Sequence, residues 1–151
     1  MSSSRILLVE DNSDDILLTK RAFARAGISS EIVVVHDGLE ALDYLHCSGK
    51  YSTRSDRLVP LLVLLDLSMP RMGGLQFLKE IRADSELRFI PIVVLTSSGE
   101  NRDVCESYRL GANSYIQKPV DFERFVQTIG ALSSYWLAFN IGPKECRGHG
   151  Y

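Results

Sequence analysis

Short aliphatic runs alternate with longer amphipathic patterns along almost the whole chain, and this alternation restricts the fold more than any other feature. The runs are Arg5–Val9 (RILLV), Glu31–Val35 (EIVVV), Leu61–Leu65 (LLVLL), Ile92–Leu95 (IVVL) and Ser114–Gln117 (SYIQ). All are short and most are rich in Val, Ile and Leu, as strands covered on both faces should be. Between them, apolar residues recur at helical spacing. Ile16, Thr19, Phe23 and Ala26 define a first helix, with Asn12 or Ser13 as its cap and Gly27 as its stop. Leu39, Leu42 and Leu45 mark a second helix ending near Gly49, and Leu75, Leu78 and Ile81 mark a third. A weakly apolar fourth carries Val104 and Tyr108 and stops at Gly111; the fifth opens at Asp121 with Phe122, Phe125, Val126, Ile129 and Leu132 on one stripe. Strand and helix in this order predict a doubly wound parallel α/β sheet of five βα units.

The 151 residues suit one such domain over residues 1–134. Residues 135–151 then read as an apolar extension of the last helix (YWLAFNIGP) and a frayed tail, with no output domain. A composition of 45% hydrophobic and 24% charged residues excludes a disordered or membrane-embedded chain. The net charge of −2 argues against non-specific nucleic-acid binding. The start, MSSSRILLVED, lacks the pattern of a signal peptide, and no apolar run approaches the roughly 20 residues that span a bilayer. A cytoplasmic protein is expected. Cys47, Cys105 and Cys146 have no CxxC spacing, and His36, His46 and His149 no metal-ligand spacing. The polar stretch GKYSTRSDRLVP, ending at Pro60, reads as a surface insertion before the third strand.

Acidic residues stand where ligands bind in such folds, beyond the carboxyl ends of the strands. Glu10 and Asp11 follow the first run, and Asp66 ends LLVLLD. Taken alone, Glu10 and Asp11 would be a solvated pair at a helix start, and Asp66 a turn cap before Met69-Pro70. If strands one and three are neighbours, however, the carboxylates converge, and such a cluster attracts a hard divalent cation, magnesium being the natural candidate. The same cation would serve phosphorylation of a carboxylate. Asp66 would be the nucleophile, Glu10 and Asp11 the metal holders, Lys118 the counter-charge and Thr96 a hydroxyl donor.

The ordered set LLVEDN, LLDLSMP, VVLTSS and YIQKP resembles the receiver domains of two-component response regulators over the chain to Leu132. The resemblance implies a flavodoxin-like fold with strand order 2-1-3-4-5 and Asp66 as phosphoacceptor. It further implies metal ligation by Asp11, Asp66 and the Ser68 carbonyl, and Glu10 acting largely through water. Lys118 would pair with the phosphoryl group, with a cis Lys118–Pro119 bond, and Thr96 and Tyr115 would form a switch pair. The run IVVVHDGLEALDYL, the polar insertion, VLTSSGENRDV and the ending YWL are similar to single-domain regulators that partner phytochrome-type histidine kinases. The partners implied are such a kinase and a downstream protein or phosphotransfer protein, with Trp136, Leu137, Phe139 and Ile141 either extending the core or forming a homodimer or kinase-docking surface.

The expected function is that of a phosphoacceptor catalysing only its own phosphorylation and dephosphorylation, rather than an enzyme with external substrates. A receiver-shaped docking module that is never phosphorylated is the rival reading, although the intact set of acids, Thr96 and Lys118 speaks against it. An aspartate-dependent phosphatase usually needs an acid two residues past the nucleophile, where this chain has Ser68. A dinucleotide site would need a glycine-rich loop after the first strand, which is missing.

Overall fold

In the computed structural model, which describes residues 4–56 and 58–143, five parallel strands form one sheet in the order β2-β1-β3-β4-β5. The strands are β1 (Arg5–Val9), β2 (Glu31–Val35), β3 (Leu62–Leu65), β4 (Ile92–Thr96) and β5 (Ser114–Gln117). Five helices connect and follow them: α1 (Ser13–Arg25), α2 (Gly38–His46), α3 (Gly74–Ala83), α4 (Asn101–Arg109) and α5 (Phe122–Ser133). This is the flavodoxin-like architecture, with a topological switch point between β1 and β3.

Period-two alternation divides the central strands between two cores. Leu7, Val9, Val63, Leu65 and Ile92 point to one face, where they meet Ala41, Tyr44 and Leu45 of α2 and Phe77, Leu78 and Ile81 of α3. Ile6, Leu8, Leu62, Leu64, Val93 and Leu95 point to the other, against Ala22 and Phe23 of α1 and Phe125, Ile129 and Leu132 of α5. Each fully buried Val, Leu, Ile or Phe side chain among these contributes roughly 1.5–3 kcal/mol. Helix α4 buries only Ser107, in keeping with its weak apolar pattern.

The caps follow side-chain chemistry. Asn12, not Ser13, accepts the Asp15 N–H at the start of α1, and Asp121 accepts the Arg124 N–H at the start of α5. Helix α2 stops at His46, earlier than expected, because Cys47 takes the left-handed conformation at φ 54° and turns the chain. The buried face of α2 also differs from the apolar stripe. Leu39 is exposed, whereas Glu40 and Tyr44 are buried.

The insertion accounts for that difference. It is more than a surface loop. A 3-10 turn at Gly49–Tyr51 sets the Tyr51 ring edge-on to Tyr44 at 5.1 Å, and the Tyr51 hydroxyl donates to Glu40 at 2.6 Å. Arg54 stacks on the Tyr44 ring at 4.0 Å, and Asp56 accepts from Arg5 at 2.8 Å. Beyond α5 a π-helical turn, Ser134–Phe139, divides the apolar extension. Trp136 and Leu137 pack on the second core, while Tyr135, Phe139 and Ile141 are exposed. No helix among the described residues is long and apolar enough to cross a membrane; Cys146 and His149 lie outside the described residues.

Candidate functional site

Strand register brings the acids together. Val9 of β1 pairs with Leu65 of β3, so Glu10 and Asp66 leave the sheet side by side. The Asp66 N–H donates to the Val9 carbonyl at 3.0 Å, and the Glu10 N–H donates to Val35 of β2 at 2.9 Å. These bonds extend the ladder to the point where side chains leave it. Carboxylate oxygens of Glu10, Asp11 and Asp66 all lie within 4.8 Å of one another. Glu10 is buried at 2% exposure and Asp66 at 8%, whereas Asp11 is open to solvent.

The backbone behind Asp66 is close-packed. A Cβ on Gly74, at the start of α3, would lie 2.4 Å from the Asp66 carbonyl oxygen, so no other residue fits without displacing the acidic strand end. Ser68 follows two residues later and is exposed.

Lys118 enters from the opposite side of the pocket. Its N–H donates to the Thr96 carbonyl at 2.7 Å, prolonging the β4–β5 pairing, and its Nζ donates to Glu10 Oε1 at 2.5 Å. Asp15, in the first turn of α1, also reaches Nζ, at 3.4 Å. The pocket therefore holds more acid than base, and the titration shifts follow that imbalance. Burial raises the Glu10 carboxyl, Lys118 partly offsets this, and the charge of Asp66 adds to it. Burial opposes the charge of Lys118, but the hydrogen bond from Nζ to Glu10 and the nearby carboxylates raise the ammonium above its ordinary range. Such a surplus of carboxylate oxygens fits a hard cation. An all-oxygen donor set without His or Cys suits magnesium or manganese rather than zinc.

The expected bond isomer is corrected by the structure. No peptide bond among the described residues is cis, and Lys118–Pro119 is trans, the intrinsically favoured form. Lys118 makes its contacts to Glu10 and Thr96 from that form.

Thr96, at 1% exposure, ends β4, and Tyr115 stands on the adjacent strand opposite Val94. The Tyr115 hydroxyl donates to the Ser98 carbonyl at 2.9 Å, and Ser98 Oγ donates to Asp103 of α4 at 2.6 Å. The loop after β4 is thus tied both to β5 and to the start of α4. Asp15 and Asp103 were not singled out from the sequence. The available signal for Asp15 was its place in the acidic first turn of the helix that follows Glu10 and Asp11.

The model of the response regulator receiver domain matches residues 6–130. The chain belongs to the response regulator receiver domain family. Its relatives share most of its length. "Probable methanogenesis regulatory protein FilR2" of Methanothrix harundinacea is 41% identical over 138 residues, covering 91% of this chain and 86% of that one. "Response regulator Rcp1" of Synechocystis is 37% identical over 132 residues, covering 87% and 88%; the crystal structure of its manganese-bound form superposes with a TM-score of 0.82 over 93% of this chain and 99% of that one, at 36% identity. The phosphorylated cyanobacterial phytochrome response regulator RcpA superposes with a TM-score of 0.85, at 38% identity, over 94% and 99%. This receiver of the two-component class therefore shares fold, strand order and length with these regulators.

Proposed function

We propose that this receiver takes a phosphoryl group from the phosphohistidine of a sensor kinase onto Asp66, in a magnesium-dependent step, and signals through protein contacts. The observation that carries this reading is the meeting of Glu10, Asp11 and Asp66 within 4.8 Å, with the Lys118 ammonium on the same pocket. A carboxylate oxygen of Asp66 attacks phosphorus, a new O–P bond forms, and the N–P bond to the kinase histidine breaks. Asp11, Asp66 and the Ser68 carbonyl would hold the cation, with Glu10 beside it. Bound there, the cation supplies positive charge against the phosphoryl oxygens. Lys118 provides a second positive charge from the β5 side, and the Thr96 hydroxyl a hydrogen-bond donor. Thr96 and Tyr115 form the switch that passes the change to α4 and β5. Hydrolysis of the acyl phosphate then resets the protein, so its chemistry is confined to itself.

The kinase is proposed to be phytochrome-type, supported by the likeness to RcpA, and the setting cytoplasmic. The receiver is proposed to span residues 1–134, with 135–151 as its extension. Tyr135, Phe139 and Ile141 are exposed on that extension and form the basis for a proposed homodimer contact. Light scattering on the full chain and on one truncated after Ser134 separates the cases: loss of a dimer on truncation is expected, and a monomer in both removes the dimer. The central test is intact mass after incubation with magnesium and a phosphorylated kinase domain or acetyl phosphate. One phosphoryl adduct that requires metal and vanishes in Asp66→Asn is the expected result. The absence of any adduct with either donor leaves the phosphorylation-independent docking module.

A further inference from the structure

The loop between β3 and α3, which carries Ser68, is held from outside the acidic pocket. Arg71 stands in it at φ 58°, a left-handed conformation unfavourable for any residue with a Cβ. Its guanidinium reaches Asp37, two residues past the end of β2: Nε and Nη2 each lie 2.7 Å from Oδ2. Asp37 is buried at 5% exposure, and its other oxygen, Oδ1, accepts the Glu40 N–H at 2.9 Å as the cap of α2. Beside this ion pair the Gly38 N–H donates to the Met72 carbonyl at 2.9 Å, and a Cβ on Gly38 would meet the Met72 side chain at 2.7 Å. At the far end of the loop the Gly74 N–H donates to the Leu67 carbonyl at 3.1 Å. A strained residue, a buried carboxylate with both oxygens engaged and two backbone hydrogen bonds together fix one loop pose.

We infer that Asp37 and Arg71 are positioning residues for cation binding, acting through the β3–α3 loop rather than by touching the ion. This rests on the proposed phosphoacceptor reading, since the loop matters for chemistry only if it helps hold the metal. Asp37 is buried and charged, and α2 needs only its Oδ1; a neutral Asn would cap the helix equally well. The charge is used by Arg71, and Arg71 keeps its strained backbone only while that charge anchors it. Residues that orient a metal site without ligating it typically change affinity by about 10–100-fold when removed.

The test compares wild type, Arg71→Ala, Asp37→Asn, Arg71→Lys and the Arg71→Ala/Asp37→Asn double variant. Magnesium affinity is measured by calorimetric titration, and amide exchange of Gly38 and Gly74 is measured on metal-free protein. Each of the first two variants is expected to weaken magnesium about tenfold and to speed exchange at Gly38 and Gly74. Arg71→Lys recovers part of the loss, and the double variant is no worse than either single one, because the two residues act as one pair. Phosphorylation at saturating magnesium stays within about twofold of wild type, so the defect lies in metal occupancy. Equal magnesium affinity in wild type and both single variants overturns the inference, even if melting temperature falls, because the pair would then be structural only. Additive effects in the double variant overturn it as well. Failure of wild type itself to bind magnesium is a different result, which removes the metal reading and the inference resting on it.

Discussion

Glu10 and Glu40 are buried to a similar degree, 2% and 8% exposed, yet their carboxyls shift in opposite directions. Burial raises both. At Glu40 it is outweighed by hydrogen bonds from the Tyr51 hydroxyl, Lys50 and the His36 N–H, which hold the carboxyl at about 2. At Glu10 the Lys118 ammonium and the Asn12 N–H do not outweigh burial and the added charge of Asp66, and the carboxyl ends up raised. A buried charge whose donors are all supplied by the protein is part of the architecture. One left in a surplus of its own sign is completed from outside, by a cation or by a proton. On this criterion the end of β1 has the electrostatics of a cation site, and the face of α2 does not.

The sharpest way to break this comparison is Asp66→Asn. It is expected to abolish the phosphoryl adduct completely, the largest effect of any change considered, while making the metal-free protein more stable. Removing one charge from a pocket with too many relieves repulsion on Glu10 by roughly 1 kcal/mol, or about 3 °C in melting temperature. A metal-free variant that melts below wild type would show that Asp66 stabilises the fold and that the surplus of charge is only apparent.

Magnesium tests the same surplus without mutation. If the cation completes the pocket, metal at a hundred times its dissociation constant stabilises wild type by about 2.7 kcal/mol, and chelation removes the whole effect. Asp11→Asn should lose most of that stabilisation at the same magnesium concentration while keeping the metal-free melting temperature, because Asp11 is exposed and carries little of the fold. Thermal melts with magnesium and with a chelator read both outcomes, and a wild type indifferent to the metal would count against the site.

The two regions differ as much in legibility as in charge. The acidic pocket was readable because its clue is local: an aspartate ending a wholly aliphatic run is anomalous, and beside it an otherwise ordinary acidic pair after another strand gains meaning. The strands were readable for the same reason, since β1, β2 and β5 run over the residues their composition marks, and β3 and β4 differ by one residue each. Strand order was not derivable from periodicity, because pairing Val9 with Leu65 joins residues far apart in sequence. It came from resemblance. The insertion hid its role because GKYSTRSDRLVP is mostly polar and has no apolar period, and only folding shows that Tyr51 and Arg54 cover α2. The Asp37–Arg71 pair was hidden likewise, as an acid and a base 34 positions apart in two unremarkable loops.

Glu40→Gln acts on stability alone, and its sign opposes that of Asp66→Asn. Glutamine keeps the volume but gives up the charge that Lys50 and Tyr51 serve, so the variant should lose roughly 2 kcal/mol at neutral pH, in the range for hydrogen bonds to a charged group. Phosphorylation should survive, because none of the pocket side chains changes. The pH dependence separates this from a packing defect. The Glu40 carboxyl is depressed in the folded state from an ordinary 4.5 to about 2. Its contribution is therefore complete above pH 4.5 and disappears as pH falls through that interval, where the unfolded chain takes up the proton first. Urea unfolding of wild type and variant should show a constant difference from pH 7 down to about 5, narrowing below it. A difference that persists unchanged to pH 3 would mean that shape rather than charge holds the insertion on α2. The contrast between the two buried glutamates would then reduce to how each is packed.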